Sequence, residues 1–169
     1  MQRNLTHKTI KTMKKFFIAI AVMFLSFTAV QAQPYNAAIG LEGGFGGLGL
    51  TYKQFTGPNN FIDYKADLDI FHENLNLFVS GTFDWNVPIS GGFQFYYGLG
   101  AAAGAWFGNY TALRLGVFGN IGFEYAFSAI PFALSIDWNP GYYATVHDGI
   151  TGGFGWDQNV ACVGLKFTF

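Results

Sequence analysis

Hydrophobic and polar residues alternate with a period of two along most of the chain beyond residue 35. In the last ten residues, apolar side chains occupy every second position from Ala161 to Phe169, and Lys166 and Thr168 lie between them. This spacing is that of a β-strand with one apolar face. The same alternation predicts seven further strands, over residues 36–43, 48–53, 62–70, 77–87, 93–107, 113–127 and 132–142.

Short segments rich in Gly, Pro, Asn and Ser join the predicted strands. Residues 43–46, 56–60 and 88–92 have the composition of tight turns. The longest connection is expected over residues 143–157. Eight is an even number of strands, and short connections between neighbours require an antiparallel meander. The sequence therefore predicts an all-β fold, an eight-stranded antiparallel up-and-down barrel.

The charged residues follow the same alternation. Residues 33–169 carry four basic and ten acidic residues; three of these, Glu73, Asp148 and Asp157, fall in connections, and the others fall on the polar face of a predicted strand. An eight-stranded barrel is narrow enough for side chains to fill it, so charges inside it need partners. We predict a polar network in the lumen, with Lys53 opposite Asp63 or one diagonal step away, and Asp84 beside Tyr96. Its members are Glu42, Lys53, Asp63, Lys65, Asp67, Asp69, Asp84, Tyr96, Arg114, Glu124, Asp137 and Lys166.

Alternation alone does not say whether the apolar face points outward to lipid or inward around a small ligand, as in a secreted lipocalin-like barrel. Three features favour a transmembrane β-barrel. The polar face is rich in Gly and Ala, which suits a narrow interior. Only 11% of the residues are charged, where about 25% is typical of soluble domains. Outward aromatic residues also collect at the rim that holds both chain ends, as a membrane girdle does. They are Tyr52, Tyr64, Trp85, Phe93, Phe95, Tyr125, Phe127, Phe132, Phe167 and Phe169.

The first 32 residues have the features of an export signal. Arg3 and the lysines between residues 8 and 15 make a basic start, residues 16–30 are mostly apolar, and residues 30–32 offer a cleavage site. An apolar run of about 15 residues is too short to span a bilayer comfortably as a helix. We therefore divide the chain into a signal peptide, 1–32, and a barrel domain, 33–169. Met13 is a possible true start, because Lys14, Lys15 and the apolar run already form a complete signal.

Charge and cysteine content exclude several classes of protein. Residues 33–169 have a formal charge of −6, which makes nucleic acid an unsuitable partner. Cys162 is the single cysteine, so the chain has no internal disulfide framework. No metal-ligand spacing and no nucleotide-binding motif is present, and we expect no cofactor.

Two sets of residues are candidates for chemistry. Asp63, Asp67 and Asp69 with Lys65 could form a cation or proton path, although a structural network of ion pairs is the favoured interpretation. His72 and His147 fall in predicted loops, where a lipid hydrolase could use them with a serine and an acid. Since Ser80 and Ser135 are assigned to the lumen and not to the lipid face, we predict that the protein is not an enzyme.

Several segments carry a resemblance to a known family. They are residues 49–53 (GLTYK), 96–101 (YYGLGA), 122–127 (GFEYAF), 130–131 (IP), 134–140 (LSIDWNP) and 166–169 (KFTF). On these segments the chain resembles the small outer-membrane β-barrel proteins of Bacteroidota-type Gram-negative bacteria, in the OmpX- and OmpA-like superfamily of eight-stranded barrels. The resemblance carries over no catalytic residue.

The resemblance implies an outer-membrane location with both termini in the periplasm and with outer-membrane lipid around the barrel. It also implies that the barrel-insertion machinery recognises the last strand through Phe167 and Phe169. A structural or interaction role with a largely plugged polar lumen is the favoured function. The alternatives are a narrow porin-like solute or ion channel, a lipid-modifying enzyme and a secreted lipocalin-like ligand binder.

Overall fold

The computed structural model describes residues 35–44, 47–69, 75–107, 111–146, 149–155 and 161–169. The predicted signal peptide, His72, His147, Glu73, Asp148 and Asp157 lie outside these residues. The described strands are β1 (Ala37–Gly44), β2 (Leu48–Gly57), β3 (Asn60–Asp69), β4 (Leu75–Ser90), β5 (Phe93–Phe107), β6 (Thr111–Ala126), β7 (Phe132–Trp138), β8 (Gly141–Val146), β9 (Ile150–Gly155) and β10 (Ala161–Thr168).

These strands form one closed antiparallel barrel. Strands β1 to β6 pair in chain order, β6 then pairs with both β7 and β8, and β10 pairs with β7 on one side and β1 on the other. Strand β9 pairs with β8. Strands β7 and β8 both pair with β6 and together form the seventh strand of the barrel. Strands β10 and β9, which pair with β7 and β8, together form the eighth, so the described strands make an eight-stranded barrel. The predicted fold class is confirmed in this respect.

The seventh position differs from the prediction of one strand over 132–142 followed by a long connection over 143–157. Strand β7 ends at Trp138, and after Asn139 and Pro140 the chain continues as β8 and returns as β9. Pro140 has no N–H to donate to a ladder, but its carbonyl accepts a hydrogen bond from Gly119 N at 2.9 Å. The prediction missed β9 because a strand with adjacent glycines has little alternation of apolar and polar side chains.

The turn between the fourth and fifth strands also differs from the prediction. Residues 88–92 were predicted to be the turn, but β4 continues to Ser90 through an irregularity between Pro88 and Ser90. Gly91 and Gly92 make the turn with φ of 60° and 89°, positive values that suit glycine.

The barrel is apolar outside and polar inside. Strand β7 shows the pattern: Phe132, Leu134, Ile136 and Trp138 are exposed, while Ala133, Ser135 and Asp137 are buried. Every charged side chain in the described part of the chain lies on the inner face. The polar face of the sequence is therefore the interior of the barrel.

Exposed aromatic rings are concentrated on the outer surface at one end of the barrel, here called the termini end because Tyr35 and Phe169 lie there. Phe167 packs against Phe132 and Phe169, with ring centroids 5.7 and 6.3 Å away. Further along the same rim, the rings of Tyr125 and Phe127 are 5.0 Å apart. The other end is called the far end below.

Candidate functional site in the barrel interior

The inner face holds all twelve residues that the sequence assigns to the polar network. Eleven of them are buried, and Arg114 is half-buried. Their alternation along each strand turns these side chains toward the axis, so residues far apart in sequence meet across the lumen. The network has two parts, one near the termini end and one near the far end.

Glu124 is the centre of the part near the termini end, the Glu124 cluster, whose other members are Lys53, Lys166, Asp63 and Tyr35. The Glu124 carboxylate on β6 lies 3.1 Å from Lys53 Nζ on β2 and 3.5 Å from Lys166 Nζ on β10. It also accepts a hydrogen bond from the Tyr35 hydroxyl. Side chains from three separate segments of the chain thus contact one buried carboxylate.

Asp63 extends this cluster. Its carboxylate lies 3.5 Å from Lys166 Nζ and accepts a hydrogen bond of 2.5 Å from the Thr51 hydroxyl. Lys53 is directly opposite Asp63 in the pairing of β2 with β3, as predicted. The Lys53 ammonium group nevertheless makes its ion pair with Glu124, because a long side chain on the inner face can reach across the lumen.

Aromatic rings surround the Lys53 ammonium group. Nζ lies 3.8 Å from the ring centroid of Phe61, 4.8 Å from Tyr96, 5.3 Å from Phe55 and 5.7 Å from Tyr35. A ring face attracts a cation through its quadrupole, more strongly where water is excluded. This lysine is therefore held by an ion pair on one side and by rings on the others.

Interior glycines let side chains from alternate strands touch. Gly122 on β6 is paired with Tyr96 on β5 and with Asp137 on β7. A Cβ at position 122 would lie 2.3 to 2.6 Å from atoms of the Tyr96 side chain, whose hydroxyl donates a 2.7 Å hydrogen bond to Asp137. Without a side chain at Gly122, the Tyr96 ring lies over β6 and reaches the strand beyond.

Asp84 lies beside Tyr96 as predicted, but one diagonal step away and not directly opposite. Asn86 is opposite Tyr96, and Asp84 is opposite Gly98. Asp84 accepts a hydrogen bond from Thr82 and one of 2.8 Å from the Asn120 amide across Gly98. The turn lies at Gly91 and Gly92 instead of being centred on Ser90, and this later turn produces the offset, which the irregularity between Pro88 and Ser90 reduces by one residue.

The far end of the lumen contains a second group of charges and a cavity. Lys65 Nζ lies 2.9 Å from a Glu42 carboxylate oxygen, and the Asn76 amide donates to Asp69 over 3.5 Å. The Arg114 guanidinium lies against the rings of Phe78 and Tyr143. The cavity has a volume of about 40 Å³, room for roughly three water molecules. It is lined by Glu42, Gly47, Lys65, Asp67, Asp69, Asn76, Phe78, Ser80, Ala102, Phe118, Asn139 and Tyr143.

Sequence reasoning missed three aromatic residues around the Lys53 ammonium group, Phe55, Phe61 and Tyr35. Phe55 and Phe61 lie two positions from Lys53 and Asp63, so their phase alone assigns them to the inner face. Tyr35 precedes the first predicted strand, and no periodicity indicates its direction. Only the folded chain brings its hydroxyl to Glu124.

The other candidates for chemistry can be followed only as far as the described residues extend, which leaves out His72 and His147. Cys162 is buried on the inner face. Among the described residues there is no group of three or more His, Cys, Asp or Glu side chains placed to hold a metal ion. Within the described ranges, no helix has the length and apolar character needed to cross a membrane. Ser80 and Ser135 belong to strands whose polar side chains face inward, which agrees with their predicted assignment to the lumen.

Comparison of the chain with known protein families, with curated proteins and with solved structures finds no match. The interpretation of the barrel therefore depends on its own geometry.

Proposed function

We propose that the protein is an integral outer-membrane β-barrel with a structural or interaction role and a polar lumen closed by its own side chains. One observation carries the proposal: in the described part of the chain, the charged side chains face the interior, while large apolar side chains are exposed around the wall. A wall of this kind is favourable in hydrocarbon, where each charge on the lipid face is costly. In water the same wall would expose an unusually large apolar surface.

This distribution argues against the lipocalin-like alternative. A soluble ligand-binding barrel would keep its polar face in water and its apolar face around the ligand. Here Lys53 and Lys166 are buried, and Leu99 is 69% exposed at the middle of β5. In the described part of the chain, the charged side chains therefore occupy the space that a lipophilic ligand would need.

The membrane proposal predicts that Leu99→Arg strongly reduces insertion. Arginine near the middle of a lipid-facing strand costs about 2–4 kcal/mol in a transmembrane barrel. In a water-soluble barrel the same substitution on an exposed side chain would be neutral or favourable, since it replaces apolar surface by charge. The measurement is the amount of folded protein recovered from outer membranes, scored as the band whose gel mobility changes on boiling.

Ile130→Arg is the matched control. Ile130 is also exposed, but it lies in the connection between β6 and β7 at the termini end, beyond the strands. We expect near-normal insertion for this variant, because the cost of arginine falls toward the interface. Equal recovery of Leu99→Arg and wild type, or a freely soluble wild-type protein, would contradict the proposal.

The Glu124 cluster supports the proposal of a closed lumen. Lys53 and Lys166 are both paired with Glu124, Lys166 also lies 3.5 Å from Asp63, and the Phe61 ring lies against the Lys53 ammonium group. Charges paired in this way stabilise a filled interior instead of an open water-filled pore. We therefore assign these residues a structural role, with a narrow channel as the competing function.

The resemblance to OmpX- and OmpA-like barrels extends the proposal to biogenesis. Both termini would lie in the periplasm, and the barrel-insertion machinery would recognise β10 through the outward rings of Phe167 and Phe169. The backbone of Phe169 also pairs with the start of β1: its carbonyl accepts hydrogen bonds from Asn36 and Ala37, and its amide donates to Ala37. A test of recognition must therefore leave this backbone intact.

Phe169→Ala is expected to slow insertion in cells by about tenfold or more while refolding into lipid vesicles stays close to wild type, because the backbone hydrogen bonds remain. Pulse-labelled appearance of the heat-modifiable band measures the first quantity, and fluorescence-monitored refolding measures the second. Phe132→Ala removes a neighbouring ring at the same rim and serves as the control. Equal insertion rates for the two variants would rule out a special role for Phe169.

A further inference from the structure

The apolar outer wall of the barrel is much taller on one side than on the other. Along β5, which has 15 residues, every outward side chain from Phe93 to Phe107 is apolar. A strand tilted by about 40° advances about 2.5 Å along the barrel axis per residue, so this band is about 35 Å tall. On β2 the band extends only from Leu48 to the exposed Gln54, which is about 15 Å.

The strand pairing places the extra height at the far end. A row of directly paired residues joins Ile39 on β1 to Val117 on β6 through β2, β3, β4 and β5. In the other direction a row joins Ile39 to Phe132 on β7 through β10, and the Phe132 carbonyl accepts a hydrogen bond from the Phe127 amide. The two rows thus reach β6 at positions 117 and 127. Because position 117 is nearer the far end, paired rows climb toward that end from β1 to β6.

Leu48 on β2 and Leu113 on β6 show how large the difference is. One row of paired residues joins them, and it passes through Leu68, Leu77 and Ala105. Each step between tilted neighbouring strands climbs about 3 Å, so Leu113 lies about 12 Å further from the termini end than Leu48. In the ring of eight strands, β2 and β6 are opposite each other.

Exposed apolar side chains cover the taller part of the wall. Paired residues connect them, for example Leu75 with Phe107 and Leu113 with Val146. A hydrocarbon layer of about 25 Å that began at the aromatic rim around Phe93 would end below them and leave them in water. We call these residues, each between 39% and 50% exposed, the far-end patch: Leu75, Leu77, Phe107, Leu113 and Val146.

We propose that acyl chains of the surrounding bilayer cover the far-end patch, so that the hydrocarbon layer is thinner beside β1 and β2 than beside β5 and β6. The patch continues the lipid-facing wall, since the outward side chains of β5 between Leu99 and Phe107 are all alanines. A protein interface would instead have a polar rim around its apolar core. Bilayers adjust their thickness to an apolar wall at modest cost. The inference rests on the proposed membrane location.

The test measures the depth of single nitroxide labels in protein refolded into dioleoylphosphatidylcholine vesicles. Leu48→Cys and Leu113→Cys carry the labels at the far end, each in a Cys162→Ser background. Ile39→Cys and Phe95→Cys are the matched pair at the termini end, because they lie on opposite strands and within about 3 Å of the same height. Depth follows from relaxation of the label by oxygen, which dissolves in hydrocarbon, and by a nickel chelate, which stays in water.

We expect the labels at positions 48 and 113 to lie at the same depth within about 4 Å, although these positions are about 12 Å apart along the axis. The labels at positions 39 and 95 should agree equally well. The heat-modifiable band shows that each variant folds. If a far-end variant does not fold, Leu50→Cys and Leu115→Cys replace the pair, because the next row of paired residues joins these two positions.

A larger difference at the far end, with position 113 nearer the water, would mean that the hydrocarbon layer is flat and the patch is left for a protein partner. Equal depths at the far end with unequal depths at the termini end would mean that the barrel tilts in a layer of constant thickness. Either result would overturn this inference and leave the membrane proposal intact. Four labels that are all in water would contradict both.

Discussion

Gly40→Val should prevent most of the protein from closing into a barrel. Gly40 on β1 is opposite Lys166 on β10, in the pair of strands that closes the sheet. A Cβ at position 40 would lie 2.3 Å from the backbone oxygen of Leu165 and 2.7 Å from the Cα of Lys166. Backbone atoms cannot rotate away, so the two strands must separate, at a cost of at least about 3 kcal/mol.

The measurement is the fraction of heat-modifiable protein after refolding, together with urea unfolding followed by circular dichroism. Gly81→Val is the matched control, because Gly81 is also a strand glycine but a Cβ there would have as its nearest neighbour a Tyr64 ring carbon at 3.8 Å. We expect this control to fold normally. If both variants fold with the stability of wild type, the close approach of β1 and β10 at Gly40 is not required for closure.

Glu124→Gln is expected to lower the free energy of unfolding by about 3 kcal/mol. The substitution keeps the shape of the side chain but removes the charge that faces both Lys53 and Lys166. Removing one partner of a buried ion pair typically costs about 3–5 kcal/mol, because the remaining charge stays desolvated. Urea unfolding in lipid vesicles measures the loss.

A second substitution tests whether the loss arises from unbalanced charge. Lys53→Met in the Glu124→Gln background removes one of the two cations and should recover at least about 1 kcal/mol relative to Glu124→Gln alone. Asp84→Asn, whose carboxylate is bonded to the uncharged Thr82 and Asn120, should cost only about 1 kcal/mol. A double variant less stable than Glu124→Gln would contradict the ion-pair interpretation.

The same variants distinguish a closed lumen from a narrow channel. In planar bilayers, wild type should give no steady conductance, and Glu124→Gln should give brief openings because the residues proposed to close the lumen would then be less firmly held. A steady ion-selective conductance of wild type would favour the channel function instead.

Much of the architecture could be predicted because an alternation of apolar and polar residues indicates a strand with one apolar and one polar face. The bounds of β5, Phe93–Phe107, agree with the prediction, and the pairing of Lys53 with Asp63 was predicted from a tight turn over residues 56–60. Where glycine or proline interrupts the alternation, the prediction was wrong. Strand β9 was assigned to a connection, and the turn predicted over residues 88–92 lies at Gly91 and Gly92, which places Asp84 one diagonal step from Tyr96.

The sequence by itself determined which side chains share a face of the barrel wall, because the period of a strand assigns each residue to one of two faces. The tertiary structure alone decided which interior residues meet. Glu124 binds Lys53 and Lys166 from β2 and β10, and Tyr96 reaches Asp137 over Gly122. These contacts depend on barrel closure, on the stagger between strands and on the space above glycines. None of these can be read from a short segment of the sequence, because each depends on strands that are distant in the chain.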